Sequence, residues 1–174
     1  KGMQAKRISA TIKHFAGNES EIKRTTNSSE IDERSLREIY LVPFEMAVKE
    51  AGTWAIMSSY NKINGNYAAE NHWLLTQILR VEWGYDGIIM SDWFGSRTTA
   101  PTLNAGLNLE MPGPARDRGD KLVDTVQAGD VSAQTVRSLA LDMLRLMQRT
   151  GSLDDHRSHN EMAEDRPEHR ALIR

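Results

Sequence analysis

The chain has 174 residues, of which 39% are hydrophobic and 26% charged, and its formal net charge is −2. This composition suffices for a globular domain with a sizeable core and excludes an intrinsically disordered chain. It contains neither a basic stripe with interleaved aromatic residues nor an apolar run of about 20 residues, so we expect no nucleic-acid partner and no membrane span. Cysteine is absent, which excludes disulfides, thiolate metal sites and a cysteine nucleophile.

The first part of the chain predicts a strand, a long loop and an interrupted helix. A β-prone run over residues 8–12 leads directly to Lys13 and His14. The polar stretch that follows, over 17–29, predicts a long loop, and such loops are usually functional or mobile. Apolar residues then recur at helical spacing, but Pro43 interrupts the pattern. We therefore expect a kink or two consecutive helices here.

The middle of the chain repeats the same alternation. A second strand, predicted over 54–58, delivers Tyr60 just beyond its end. Asn64-Gly65 is a turn signal, and the helical pattern over 70–83 stops at Gly84. Strands that alternate with helices in this way are typical of parallel sheets with crossover helices.

A third apolar run, over 88–90, ends abruptly on Ser91, Asp92 and Trp93. In α/β barrels, catalytic groups lie at the carboxyl ends of the strands. Aspartate is rarely buried without a partner or a function, and the flat indole of Trp93 offers a face on which sugar rings stack. We therefore interpret Asp92 as a catalytic nucleophile that acts on a glycoside.

The rest of the chain predicts one more strand, several helices and a polar connection. Before residue 150 we expect a helix over 96–105, a short strand over 107–111, and helices over 121–127 and 133–149. Residues 151–174 are polar and predict a linker, within which Pro167 begins a further helix. Four strand–helix units make half of a (β/α)8 barrel or a small open α/β sheet. The nucleotide-binding version of such a sheet is disfavoured, because no glycine-rich phosphate loop occurs.

Three predicted strand ends carry polar or aromatic groups, and in a barrel all of them project at one mouth. Lys13 and His14 can donate hydrogen bonds to sugar hydroxyls, Tyr60 can hold or stabilise a carboxylate, and Asp92 can attack an anomeric carbon. Each residue also has a simpler interpretation. Asp92 could cap a helix, Lys13 could lie on the surface, and His14 could be structural. Tyr60 and Trp93 are more often packing residues than ligands, and Met57 at a strand end is normally core.

A metal site is not expected from the five histidines. No His-Glu-x-x-His or comparable ligand spacing occurs, and three of the five lie in the polar tail after residue 150.

Six motifs follow one another with plausible spacing along nearly the whole chain. They are Lys13-His14-Phe15 with Asn18, Glu33-Arg34-x-Leu36-Arg37-Glu38-x-x-Leu41-x-Pro43-Phe44, Met57-x-x-Tyr60-Asn61, Leu79-Arg80-x-Glu82-Trp83-Gly84, Ser91-Asp92-Trp93 and Leu109-Glu110-Met111-Pro112-Gly113. Together they resemble glycoside hydrolase family 3, and its β-glucosidase branch above all. The β-N-acetylglucosaminidase branch is disfavoured, because its Gly-His-Gly segment and Asp-Ser-His loop are absent from residues 16–21.

The resemblance implies a retaining hydrolase that removes terminal β-D-glucosyl residues from β-glucosides or cello-oligosaccharides without a metal or organic cofactor. Asp92 matches the nucleophile of the family. The matches to residues lining the subsite for the non-reducing sugar are Lys13, His14, Met57, Tyr60 and Trp93.

The resemblance also implies that parts of the enzyme lie outside this chain. We expect residues 1–150 to form the C-terminal half of a catalytic (β/α)8 barrel, and residues 151–174 to lead to a second α/β sandwich domain. That domain typically carries the general acid/base, a glutamate, while an N-terminal barrel half supplies further sugar contacts. Within this chain Glu110 is the other carboxylate at a predicted strand end, and we interpret it as a paired structural group.

Two other functions compete with this hypothesis. One is a carbohydrate-binding or structural barrel fragment without turnover, although a pure binding module has no need of a carboxylate at position 92. The other is an unrelated barrel enzyme such as an aldolase or isomerase. Such an enzyme usually shows a Schiff-base lysine, metal ligands or a phosphate loop, and Lys13 is the one lysine predicted at a strand end.

Overall fold

The computed structural model describes residues 1–155 and 163–173. Its strands are β1 (Thr11–Phe15), β2 (Ser28–Ser29), β3 (Ala55–Ser58), β4 (Lys62–Ile63), β5 (Asn66–Tyr67) and β6 (Ile88–Met90). Its α-helices are α1 (Gly2–Ala5), α2 (Glu33–Ser35), α3 (Val42–Lys49), α4 (Ala100–Ala105), α5 (Asp120–Gln127), α6 (Ala133–Thr150) and α7 (Pro167–Leu172). Two π-helical segments, Leu36–Tyr40 and Trp73–Glu82, and a 3₁₀ turn, Ala68–Glu70, complete the described elements.

A parallel sheet in the order β1-β3-β6 forms the centre of the fold. All four residues of β3 are buried, and so are Ile88 and Ile89 of β6. Strands that are apolar on both faces need cover on both, which helices following each strand provide in parallel sheets. The predicted alternation of parallel strands with crossover helices is therefore confirmed.

Two predicted strands differ from the structure. β1 begins at Thr11 instead of residue 8, because pairing with β3 starts where Thr11 lies opposite Ala55. The predicted strand over 107–111 is wrong, since only Leu109 forms a bridge, to Met90 of β6. The reason is that the Met111 N–H donates to the side-chain Oγ of Ser91, at 2.9 Å, so the backbone ladder does not continue.

Local signals in the sequence set several element boundaries correctly. The interruption at Pro43 separates α2 and the π-helical segment Leu36–Tyr40 from α3, and Pro43 lies in the first turn of α3, where no backbone N–H is needed. Asn64 and Gly65 form a two-residue loop between the antiparallel strands β4 and β5, with φ angles of 49° and 88°. Such left-handed pairs suit tight hairpins. The helix predicted from residue 96 begins only at Ala100.

The main core lies between the sheet and the helices that follow β1 and β3. Phe15, which is fully buried, packs edge-on against Phe44 with 4.9 Å between ring centroids, and 6.0 Å separates it from the Trp83 ring. Leu74 and Ile78 of the second π-helical segment complete this cluster. The core therefore lies directly behind the end of β1, the strand that carries His14.

The C-terminal helices leave apolar surface uncovered. Leu141 and Leu144 of α6 are 47% and 48% exposed, and an apolar groove of about 680 Å³ is lined by Leu144, Leu109 and Met111. No helix among the described residues is both long and apolar enough to cross a membrane. Uncovered apolar surface of this kind usually marks an interface or a tendency to associate.

We predict that residues 1–174 produced alone are unstable or self-associate, because the open edges of the sheet and the groove beside α6 would be exposed to solvent. Light scattering would report the mass, and a thermal melt followed by circular dichroism would report cooperativity. A sharp cooperative transition from a monomer would contradict this prediction.

Candidate active site

Three side chains from three different strand ends converge at one mouth of the sheet. His14 lies in β1, Tyr60 follows β3, and Asp92 follows β6. The Nε2 atom of His14 is 3.2 Å from Oδ2 of Asp92. Convergence follows from the topology, because the carboxyl ends of parallel strands meet at the same edge.

The register of β1 against β3 is irregular around His14. Ile12 pairs with Ile56 and Phe15 with Ser58, so three steps along β1 match two steps along β3. Successive side chains of a strand point to opposite faces. Phe15 can therefore enter the core while His14, its neighbour, reaches the carboxylate.

The carboxylate of Asp92 is buried, with 7% of the residue exposed. Its Oδ1 accepts the backbone N–H of Trp93 at 2.7 Å, whereas the buried Oδ2 receives no well-aligned hydrogen bond from the described residues. One oxygen is thus held in place and the other keeps its lone pairs available. Asp92 does not cap a helix, because the next helix, α4, begins after Thr99.

The surroundings of Tyr60 keep its phenol protonated. Burial raises its pKa above the usual value of 10, and the negative charge of Asp92 and a hydrogen bond with that carboxylate add to the effect. Tyr60 is therefore a hydrogen-bond donor at neutral pH.

The surroundings of His14 favour the neutral form of its imidazole. Burial lowers its pKa below 6.5; the carboxylate of Asp92 opposes this shift, and the cations Lys13 and Arg24 reinforce it. A neutral imidazole beside Asp92 can offer a hydrogen bond without neutralising the carboxylate through a full ion pair.

This lowered pKa predicts a pH dependence of stability. Below pH 6.5 the unfolded chain binds a proton at His14 that the folded protein resists, so the free energy of unfolding should fall as the pH drops from 6.5 through the pKa of folded His14. Above pH 6.5 this contribution should be fully present. Urea unfolding at a series of pH values would measure it in the unmodified protein and in His14→Gln. The same dependence in both proteins would contradict the assignment to His14.

The other predicted site residues lie around this cluster in different ways. Lys13 is exposed and borders, with His14, a cavity of about 360 Å³. Met57 is buried in β3 opposite Met90, which is the position of a core residue beneath the mouth. Trp93 is 46% exposed beside Asp92, so its indole is accessible to a ligand. The contacts among the described residues therefore unite His14, Tyr60 and Asp92, with Lys13 and Trp93 at the rim.

Arg24 is a site residue that the sequence analysis missed. Its guanidinium carbon lies 5.2 Å from the centroid of the Tyr60 ring. Its charge adds to the lowering of the His14 pKa and partly opposes the rise that burial causes in the pKa of Tyr60. Its loop is fastened by Arg97, which donates to the Thr25 carbonyl at 2.6 Å. The sequence signals that the polar stretch 17–29 is a functional loop, but no local pattern distinguishes this arginine from other surface cations.

Glu110 is buried, and its carboxylate is paired with groups of the loop that follows it. Its carboxylate lies 3.2 Å from Nε of Arg116 and accepts the backbone N–H groups of Arg116 and Asp117. This confirms its interpretation as a paired structural carboxylate. Groups of three or more potential metal ligands are absent from residues 1–155 and 163–173, while His156 and His159 lie outside the described residues.

The chain is similar to known proteins in both sequence and structure. Residues 1–146 match the family model described as the glycosyl hydrolase family 3 N terminal domain. A β-glucosidase of Rhizobium radiobacter is 61% identical over 99% of the chain, which corresponds to 21% of that protein. The crystal structure of a Bifidobacterium adolescentis GH3 β-glucosidase superposes with a TM-score of 0.83 and 43% identity over 92% of the chain and 24% of its own.

A further solved structure, of a Kluyveromyces marxianus β-glucosidase in complex with glucose, gives a TM-score of 0.84 and 42% identity over 87% of the chain and 18% of its own. The chain spans 21% of the length of the curated relatives it matches. Its mixed α/β fold, with a parallel sheet, is the barrel-type fold of this family, as the resemblance implied.

Proposed function

The chain belongs to glycosyl hydrolase family 3, and on that premise we propose that it carries the nucleophile of a retaining β-glucosidase. The substrates would be β-glucosides or cello-oligosaccharides with a terminal β-D-glucosyl residue. One observation above all supports the proposal. Asp92 ends a barrel strand as a buried carboxylate whose Oδ2 receives no well-aligned hydrogen bond from the described residues, between a neutral imidazole and a protonated phenol.

The first chemical step would form a covalent glycosyl-enzyme. Oδ2 of Asp92 attacks the anomeric carbon, and the bond from that carbon to the leaving-group oxygen breaks through an oxocarbenium-like transition state. A general acid supplies the proton that the leaving oxygen needs. In the second step, water attacks the same carbon with the help of that group, now acting as a base, and Asp92 is released as a carboxylate.

The surrounding side chains would hold the sugar and the charge of the nucleophile. The protonated phenol of Tyr60 would donate to Asp92 and keep the carboxylate oriented while its negative charge is consumed. Lys13, His14 and Arg24 supply donors suited to sugar hydroxyls, and those from the two cations are charge-assisted. The exposed face of Trp93 would stack against a ring at the rim of the site.

The remaining parts of such an enzyme would come from outside residues 1–150. A retaining mechanism needs a second carboxyl group roughly 5 Å from the nucleophile. Glu110 is bound to Arg116 and to backbone N–H groups, so it is not free to serve. We therefore propose that the acid/base resides on a second domain reached through residues 151–174, and that an N-terminal barrel half completes the sugar subsite. The short span of the chain relative to its relatives supports this arrangement.

Covalent trapping tests the proposal. The longest native form of the protein would be incubated with 2-deoxy-2-fluoro-β-D-glucosyl fluoride. Its 2-fluorine slows both chemical steps, while its good fluoride leaving group keeps formation of the glycosyl-enzyme faster than hydrolysis, so the intermediate accumulates. Mass spectrometry of the digested protein is expected to place the adduct on Asp92. An adduct on another residue, or none on protein shown to be folded, would overturn it. Sugar binding without turnover, unchanged in Asp92→Asn, would favour the carbohydrate-binding fragment instead.

A further inference from the structure

Two loops meet at the mouth of the sheet, and one of them braces the other. The nucleophile loop, residues 91–96, follows β6 and carries Asp92 and Trp93. The bracing loop, residues 109–118, begins at Leu109, which forms a bridge to Met90 of β6. The Ser91 N–H donates to the Leu109 carbonyl, and the Phe94 N–H donates to the Met111 carbonyl, both at 2.9 Å. These bonds hold the start and the middle of the nucleophile loop.

Arg116 holds the far end of the same loop. Its Nη2 donates to the Ser96 carbonyl at 3.2 Å, and its guanidinium carbon lies 4.8 Å from the centroid of the Phe94 ring. The planar guanidinium therefore contacts both the Ser96 carbonyl and the Phe94 ring, which follow Asp92 in the sequence. A lysine could not match this, since its ammonium is a point charge without a plane.

Glu110 anchors that arginine. Glu110 is 8% exposed, and its carboxylate accepts two backbone N–H groups of the bracing loop. It also forms an ion pair with Nε of Arg116 at 3.2 Å, without a well-aligned hydrogen bond. A buried carboxylate with these partners is costly to move, because any displacement leaves a charge unpaired away from water. Arg116 thus pairs with the Glu110 carboxylate on one side and contacts the nucleophile loop on the other.

The nucleophile loop has a conformation that needs such support. Phe94 has a φ of 62°, a left-handed conformation that is uncommon for an aromatic residue, and the ring is 56% exposed. At Gly95 a Cβ atom would lie 3.1 Å from the Asp92 carbonyl oxygen, so the turn is tight just after the nucleophile. Strained backbone of this kind persists only where its surroundings determine it.

We propose that Arg116, anchored on Glu110, is a positioning residue that fixes the orientation of Asp92 without touching the substrate. The inference rests on the proposed role of Asp92 as nucleophile. A misplacement of about 1 Å in a reacting group can lower a rate by about 100-fold. Loss of Arg116 should therefore slow attack on the anomeric carbon, while the sugar contacts on β1 and after β3 stay in place.

The experiment separates positioning from folding by measuring a first-order rate constant. The longest native form of Arg116→Ala would be inactivated with 2-deoxy-2-fluoro-β-D-glucosyl fluoride, and the rate constant at saturating reagent is expected to fall roughly 10- to 100-fold. A smaller folded fraction lowers the amount of enzyme labelled but leaves this constant unchanged. The inhibition constant for glucose is expected to stay within about threefold of its original value.

Arg118→Ala is the matched control. Arg118 lies in the same loop and donates to the Thr102 hydroxyl and to the Thr99 and Leu107 carbonyls. Its charge also acts on Glu110, so this variant weakens the surroundings of the anchor without removing any of the contacts described above to the nucleophile loop. This variant should lose stability and keep the inactivation constant. Arg116→Lys keeps the charge and provides a second test if the alanine variant does not fold. It is expected to be slowed as well.

The possible outcomes differ clearly. An unchanged inactivation constant in both Arg116 variants would overturn the inference, as would an equal loss in Arg118→Ala. If the unmodified protein is not labelled on Asp92 at all, the proposed function fails first, and that failure is recognised before any variant is made.

Discussion

Replacement of Asp92 by asparagine is expected to lower kcat for an aryl β-glucoside by about 10⁴-fold or more in the longest native form of the protein. The amide is nearly isosteric with the carboxylate and can still accept the Trp93 N–H through Oδ1. It is a poor nucleophile, however, so the covalent route is lost. Steady-state kinetics after removal of trace unmodified enzyme would measure the effect.

The same substitution should not destabilise the fold. The amide oxygen of asparagine can still accept the Trp93 N–H, and Oδ2 of Asp92 lies 3.2 Å from Nε2 of His14 without a well-aligned hydrogen bond, so little that holds the fold is lost. We expect the urea midpoint of Asp92→Asn to equal or exceed that of the unmodified protein, since the substitution removes a buried charge that serves catalysis.

A control variant and a chemical rescue experiment check that the loss of activity comes from the nucleophile. Asp124→Asn removes a carboxylate from the exposed face of α5 and should leave kcat unchanged. In Asp92→Ala, added azide should restore turnover by attacking from the vacated side and giving an α-glucosyl azide. Near-normal activity of Asp92→Asn would refute the assignment of the nucleophile.

Replacement of Phe15 by alanine is expected to lower the free energy of unfolding by about 3–5 kcal/mol. Phe15 is fully buried and lies against the Phe44 and Trp83 rings, so truncation leaves a cavity that three elements border. Urea unfolding followed by tryptophan fluorescence would report the change, since Trp83 borders the cavity.

Phe94→Ala is the matched control for this second prediction. Phe94 is 56% exposed and its ring contacts the Arg116 guanidinium, so its loss should cost no more than about 1 kcal/mol. Similar losses for the two variants would contradict the placement of Phe15 at the centre of the core. Because Phe15 directly follows His14, its truncation should also perturb the position of the imidazole.

Strand β1 links the packing of the core to the candidate active site. In β1, Phe15 enters the core and its neighbour His14 contacts the nucleophile, because successive strand residues point to opposite faces. Packing of Phe15 thus determines the position of His14. We expect substitutions in this core to affect catalysis as well as stability.

Much of this architecture could be predicted from the sequence, because the signals are local. Pro43 cannot donate a backbone hydrogen bond, so its effect on the helix is independent of distant residues. Asn64-Gly65 tolerates left-handed backbone, so a tight turn follows from two residues. The apolar runs that become β3 and β6, each followed by a polar group, indicated parallel strands with chemistry at their carboxyl ends.

Other features were decided only by the tertiary structure. Residues 107–111 have the pattern of a strand, but the hydroxyl of Ser91 takes the N–H that would continue the ladder. Arg24 looks like any loop cation until the fold places it over Tyr60. The state of the site also depends on the fold, since burial and neighbouring charges keep His14 neutral and Tyr60 protonated. Short-range backbone preferences are encoded residue by residue, whereas desolvation and electrostatic coupling arise only when distant segments are brought within a few ångströms of one another.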